Sequence, residues 1–133
     1  MVLVDTSVLI SYFKGINNKS TEKFQYILSN NIPFGINNFI YQELLQGTAS
    51  EKDFNKLKEY LDTQRFYELR HGKKSYEEAA RMYFRCRKAG ITVRSTIDLL
   101  IAQTAIENDL LLLHNDRDFY NIADVIKELK LYE

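Results

Sequence analysis

The chain has no tryptophan, one proline, one cysteine and only five glycines among its 133 residues. A single cysteine excludes an internal disulfide, and it also excludes the paired CxxC groups of thiolate zinc sites and dithiol redox sites. Cys86 lies in the helical pattern RMYFRCRKAG, where a small apolar filler fits better than a nucleophile. The phosphate-cradling GxxxxGKS/T and GxGxxG patterns are missing, as is the zinc-binding HExxH pattern. With no Ser/Gly tract and no repeat, nothing reads as a linker, a solenoid or a low-complexity tail. No apolar run approaches the roughly 18 residues of a membrane span. The N-terminus also lacks a basic region ahead of a signal-type apolar stretch. The expectation is a cytoplasmic protein without membrane association. Its apolar content of 45% suffices for one compact domain over residues 1–133.

The net charge is zero, but it is unevenly distributed. Residues 1–64 carry six basic and seven acidic side chains, residues 65–94 nine and three, and residues 95–133 three and eight. A basic middle beside an acidic C-terminal third suits a polyanionic ligand held near a metal.

MVLVD opens the chain as a short β-branched apolar run, the pattern of a strand buried on both faces. TSVLISYF follows with helical spacing and stops near Gly15. STEKFQYILSNN reads as a helix with Ser20 or Thr21 as cap, and PFGI as a short strand. NFIYQELLQG is a helix capped by Asn37 or Asn38 and closed by Gly47 in the manner of a C-terminal glycine. SEKDFNKLKEYLDT is an amphipathic helix with Phe54, Leu57 and Leu61 inward, and FYEL is a weak strand. Long helices over SYEEAARMYFRCRKAG and STIDLLIAQTAIEND precede the strand LLLLH; DFYNIADVIKEL is the last helix before a short LYE end. Strands alternating with helices predict an α/β fold with a mainly parallel sheet, whose ligands bind beyond the strand carboxyl ends.

Four acidic positions break or end apolar patterns. Asp5 follows the first strand. Glu43 shares a helix face with Phe39 and Ile40, where a charge is misplaced without a partner. Asp98 sits on a helix that is apolar almost all round, and Asp116, with Asp118 beside it, follows LLLLH. Caps are the competing reading. Asp5 can cap the helix beginning at Thr6, Ser95-x-x-Asp98 has capping-box spacing, and Asp116 or Asp118 can cap the final helix. If the acids converge, their repulsion requires a cation. An all-oxygen donor set selects Mg²⁺, with Mn²⁺ as a substitute, over Zn²⁺. Such a site points to phosphodiester hydrolysis. His114, at the end of LLLLH, can orient water or backbone or serve a strand-end structural role. His71, in the RHGKKS turn, is either solvated or a phosphate contact.

Arg81, Arg85 and Lys88 recur at helical spacing, with Arg94 just before Ser95. They form either a solvated face or a track for a phosphate backbone. Tyr83 and Phe84 interleave with them as core or dimer contacts.

In order and spacing, VLVDTSVLI, YQELLQG, STIDLLIAQTAIEND and LLLLHNDRDFYNIA resemble the PIN-domain ribonucleases of the VapC toxin type, over essentially the whole chain. The resemblance implies a PIN-like α/β domain with four to five strands and about six to seven helices. It implies Asp5, Glu43, Asp98 and Asp116 as catalytic acids, with Asp5 and Asp98 as principal Mg²⁺ ligands and Asp118 as an outer carboxylate. Thr6 and Ser7 match hydroxyl positions beside the first acid. Where many relatives carry a hydroxyl residue after the fourth strand, this chain has His114-Asn115, and that supporting role stays open. The resemblance further implies an RNA substrate, such as tRNA or another structured RNA, and a homodimer. It also implies a VapB-like antitoxin whose tail occupies the acidic groove. The alternative is a PIN-like module that binds RNA or protein without cleaving it.

Overall fold

The structure, a computed structural model, describes residues 1–133. Its sheet has five short parallel strands: β1 (Val2–Val4), β2 (Phe34–Ile36), β3 (Arg65–Phe66), β4 (Leu111–Leu113) and β5 (Lys130–Leu131), in the order β3-β2-β1-β4-β5. Seven helices fill the crossovers: α1 (Thr6–Phe13), α2 (Lys19–Ser29), α3 (Asn38–Gln46), α4 (Glu51–Leu61), α5 (Lys73–Lys88), α6 (Thr96–Glu107) and α7 (Arg117–Val125). Five strands and seven helices match the PIN-like α/β arrangement expected from the sequence.

β1 is central and buried throughout, because a parallel strand covered by helices on both faces must be apolar on both. Val2 lies opposite Phe34 on one side and Leu111 on the other. The chain steps outward from β1 to β2 and β3, then returns to the far side of β1 for β4 and β5. That reversal opens a crevice at the carboxyl ends of β1 and β4, where an open α/β sheet places its ligands. The Asp5 N–H donates to the Leu113 carbonyl at 2.9 Å, which fixes the two strand ends at this point.

A core of 28 residues joins the sheet to the helices. Phe24, Ile27, Ile40, Phe119 and Ile122 are fully buried, each stabilising the fold by about 1.5–3 kcal/mol. Helix α6 is buried continuously from Leu99 through Ala105, as its all-round apolar sequence requires. Cys86 is buried, and desolvation pushes its thiol up, so it is a filler. No helix is long and apolar enough to cross a membrane.

Several local expectations are corrected. The cap of α2 is Asn18, not Ser20 or Thr21. Asn18 Oδ1 accepts from the Thr21 N–H at 2.9 Å and from the Ser20 hydroxyl at 2.6 Å, while Thr21 Oγ1 accepts from the Asn18 N–H. Gly47 ends α3 in right-handed geometry, so its lack of a side chain is not required by backbone conformation. Phe54 is exposed and only Leu61 of α4 is fully buried, because α4 lies outside the core and presents one end to it. Tyr83 and Phe84 are exposed on α5, so neither is a core residue. The last helix stops at Val125. Ile126 turns extended and remains buried, and Lys130–Leu131 then pairs with β4 as an edge strand.

Gly35 is the glycine whose missing side chain the sheet uses. A Cβ there would lie 2.5 Å from the Arg65 carbonyl oxygen and 2.7 Å from the Tyr67 ring. Gly35→Ala is expected to destabilise the protein by about 1–3 kcal/mol through overpacking against backbone, lowering the melting temperature by several degrees. Gly47→Ala, where a Cβ meets carbonyls only at 3.6 Å, is expected to melt at or above the wild-type temperature. Thermal melts followed by circular dichroism check both.

Candidate metal centre

The four acids singled out in the sequence come from separate places in the chain. Asp5 follows β1, Glu43 lies on α3, Asp98 is in the first turn of α6, and Asp116 caps α7. Asp98 feels the charges of Asp5, Asp116, Glu43 and Asp118. One carboxylate oxygen from each of Asp98, Asp116 and Asp118 lies within 4.8 Å of the others.

Each acid is held by its own local chemistry. Asp5 is buried; its Oδ2 accepts from the Ser7 N–H at 3.0 Å and from the Ser7 hydroxyl at 2.6 Å. Ser7 Oγ in turn accepts from the Asn115 N–H at 2.9 Å, so one hydroxyl ties the first acid to the loop after β4. Buried Thr6 donates from Oγ1 to Glu43 Oε1 at 3.0 Å, and so gives the mid-helix charge a partner across the crevice. Asp116 Oδ1 accepts from the Asp118 N–H at 3.0 Å.

His114 is buried against Phe119 and Tyr120, and burial holds its imidazole below the usual range, hence neutral at pH 7. Its Nδ1 accepts the Asp116 N–H at 3.1 Å. The ring therefore orients the backbone of the fourth acid, which gives the His114-Asn115 variation a structural role.

Burial pushes Asp5 from an ordinary 3.8 up to about 6, against the Ser7 hydrogen bonds that favour its charge and with the Glu43 charge adding to the rise. Asp98 is pushed up to about 7, first by desolvation and then by Asp5, Asp116, Glu43 and Asp118. Ser95 occupies the cap position of α6, yet its hydroxyl makes no capping bond, so Ser95 and Asp98 do not form the capping box that their spacing allows. Two carboxyl groups destabilised as anions, in an all-oxygen donor set with no cysteine, fit a hard divalent cation.

The basic residues of α5 and the loop before α6 differ in their partners. Arg81 pairs with Glu77 at 3.5 Å and Glu78 at 3.7 Å on its own helix, and Arg85 with Glu128 at 3.0 Å beyond α7. Lys88 stands over the Phe84 ring. Arg94, in the loop before α6, instead reaches the acidic cluster. Its Nε and Nη2 donate to Asp118 Oδ2 and Oδ1, each at 3.1 Å. This fork was not legible in the sequence, since the two residues lie 24 positions apart and share no pattern. It also bears on which acids can hold a cation: Asp118 has one oxygen near Asp98 and Asp116, and both of its oxygens already accept from a guanidinium. Sequence reasoning also missed Glu107, which accepts from the Arg70 N–H and the Ser75 hydroxyl at one oxygen and from Gln103 at the other, securing the start of α5 to α6.

A family model described as the PIN domain matches residues 2–125. The chain is 29% identical over 126 residues to VapC ribonuclease Mb1587 of Mycobacterium bovis, covering 94% of this chain and 93% of that protein. The same figures hold for ribonuclease VapC11 of Mycobacterium tuberculosis. Among solved structures, VapBC2 from Rickettsia felis bound to a DNA fragment from its promoter matches with a TM-score of 0.75 at 20% identity, over 99% of this chain and 98% of that one. VapBC-1 from nontypeable Haemophilus influenzae matches with a TM-score of 0.70 at 21% identity, over 100% and 98%. The parallel sheet with its acidic crevice and a family match running from the first strand to the end of α7 lead to one assignment: the chain belongs to the PIN-domain family.

Proposed function

We propose that the protein is a divalent-metal-dependent endoribonuclease and the toxin half of a toxin–antitoxin pair. The observation that carries this reading is that Asp98 feels the charges of Asp5, Asp116 and Glu43, with Asp5 and Asp98 both disfavoured as anions. The names of its curated relatives support ribonuclease chemistry, and the VapBC neighbours support a VapB-like antitoxin as partner.

Asp5 and Asp98 are the principal holders of Mg²⁺ or Mn²⁺, and Asp116 and Glu43 complete the acidic wall. When bound, the cation neutralises the cluster and supplies a water of lowered pKa beside a phosphoryl oxygen. The remaining work falls to the chain itself. Ser7 and Asn115 keep Asp5 in register with the loop after β4, and Thr6 keeps Glu43 turned into the crevice, where it can accept a hydrogen bond from a nucleophilic water. His114 fixes the backbone at Asp116. We further propose that the protein acts in the cytoplasm as one domain and as a homodimer. Tyr83 and Phe84, exposed on α5, are available to a second copy. Structured RNA, tRNA included, is the proposed substrate class.

Purified protein incubated with total RNA is expected to cleave it with Mg²⁺ or Mn²⁺ and to stop in EDTA. Asp5→Asn and Asp98→Asn are each expected to lower the cleavage rate about a hundredfold or more, since each removes an electrostatic partner of the transition state. Full cleavage by both variants would overturn the mechanism, and metal-independent RNA binding without cleavage would favour a binding module.

A second expectation concerns pH. Asp5 and Asp98 have folded-state pKa values above their unfolded values, so the folded state holds extra protons between about pH 4 and 7. Their effect is to lower stability as pH rises through that window, with the penalty complete above it. In EDTA, Asp98→Asn is therefore expected to melt higher than wild type at pH 8 and close to wild type at pH 4. Mg²⁺ or Mn²⁺ is expected to raise the wild-type melting temperature at pH 8 and to do so weakly for the variant. Melts at both pH values, with and without metal, check this.

A further inference from the structure

The basic residues of the middle segment differ in what they can offer an RNA strand. Arg81 and Arg85 are committed to carboxylates on the outer face of α5 and beyond α7. Arg94 is bonded to a member of the acidic cluster, and the two ends of that bond differ sharply in exposure: the Arg94 side chain is 73% exposed and the Asp118 side chain 9%. A guanidinium has five N–H donors. Asp118 takes two of them in a planar fork, through Nε and Nη2. The other three remain on a head that is largely open to solvent.

Asp118 is itself well anchored. It is buried in the first turn of α7, and its own N–H donates to Asp116. An anchored carboxylate gripping one edge of a guanidinium with both oxygens fixes the plane and position of the cation, so little side-chain entropy remains to be lost when a further anion arrives. The guanidinium feels the charges of Asp118, Asp116 and Asp98, carboxylates that would otherwise repel an incoming phosphodiester.

We infer that Arg94 is a preset phosphate clamp for the RNA strand at the rim of the crevice, and that Asp118 is its positioning residue rather than a metal ligand. The proximity of Asp118 to Asp98 and Asp116 alone would suggest a three-carboxylate metal site. Both Asp118 oxygens, however, accept from Arg94, so a cation bound there would have to share those oxygens with the guanidinium and lie against its charge, or displace it. Asp5, Asp98, Asp116 and Glu43 are left to hold the metal. This inference rests on the ribonuclease reading given above.

The test pairs RNA binding with metal binding in the full-length protein. Fluorescence anisotropy of labelled total tRNA in Ca²⁺, over a series of KCl concentrations, gives affinity and salt slope; calorimetric titration with Mn²⁺ gives metal affinity. Arg94→Met is expected to weaken RNA binding about tenfold to a hundredfold, the loss of a charged hydrogen-bonded contact. Its slope of log affinity against log salt is expected to be shallower by roughly 0.7–0.9. Arg94→Lys should not restore the affinity, because an ammonium cannot be held by the fork. Asp118→Asn is expected to weaken RNA binding in the same direction while leaving Mn²⁺ affinity within about twofold of wild type. A tenfold loss of Mn²⁺ affinity in Asp118→Asn would overturn the assignment of Asp118, and an unchanged salt slope in Arg94→Met would overturn the clamp. If wild type binds tRNA in this way yet cleaves no RNA in Mn²⁺, the ribonuclease reading fails while the clamp stands.

Discussion

The structure turns on one constraint: negative charges are brought close together in a place that water reaches poorly. Carboxylates gathered at the end of a buried strand raise each other's energy as anions, and desolvation adds to the cost. The scaffold absorbs that cost with hydrogen bonds from nearby donors. Ser7 serves Asp5, Thr6 serves Glu43, and Arg94 serves Asp118. Asp98 has no such partner, and its carboxyl is pushed up further than that of Asp5.

The sheet makes this concentration possible. A parallel sheet reverses its winding direction once, between β1 and β4, and the loops that leave those strands diverge to opposite sides. Asp5 and Asp116 stand on those two loops. Asp98 and Glu43 arrive from helices that pack on the sheet, α6 through its continuously buried face and α3 through Ile40, Leu44 and Leu45. A buried link between α3 and α6 sets their relative position: Asn37 donates to Thr104 Oγ1 at 3.1 Å, and Thr104 donates to the Leu100 carbonyl at 2.8 Å. Asp98 and Glu43 are therefore placed by packed helices, and Asp5 and Asp116 by the ends of buried strands.

Much of this was legible in the sequence, and the part that was legible has a physical signature. A charge in an apolar pattern costs free energy unless something pairs with it, so Asp5, Glu43, Asp98 and Asp116 each stood out against their neighbours. The periodicity of TSVLISYF or STIDLLIAQTAIEND leaves little choice of secondary structure. The failures also have a common origin. Asn18 displaced Ser20 and Thr21 as a cap because three neighbouring polar residues could all play the part, and only the packing of α2 selects one. Phe54 looks inward by spacing yet lies exposed on α4, whose buried position is taken by Leu61, and Tyr83 and Phe84, read as core or dimer contacts, fall outside the core because Ala79, Met82 and Cys86 fill the inner face of α5. The Arg94–Asp118 fork joins two chain segments that meet only when α6 and α7 are both in place, so no local pattern encodes it.

The rivalry between cap and ligand, which the sequence left open for Asp5 and Asp116, dissolves once individual oxygens are followed. An N-cap aspartate needs one oxygen to accept a backbone N–H of the first turn. Asp5 uses Oδ2 for the Ser7 N–H, and Asp116 uses Oδ1 for the Asp118 N–H. Each cap bond occupies one of two oxygens and fixes the torsion of the whole carboxylate, so the second oxygen is held in place at no further entropic cost. The capping bond also favours the charged form, which opposes the desolvation that raises Asp5. Helix capping is thus the means by which these two acids are aimed: the interaction that starts α1 and α7 also sets the geometry of the crevice. Asp98 lacks that arrangement, since Ser95 provides no side-chain cap and Asp98 lies inside the helix. Its orientation comes from the burial of α6, and no hydrogen bond offsets the desolvation that pushes its carboxyl up.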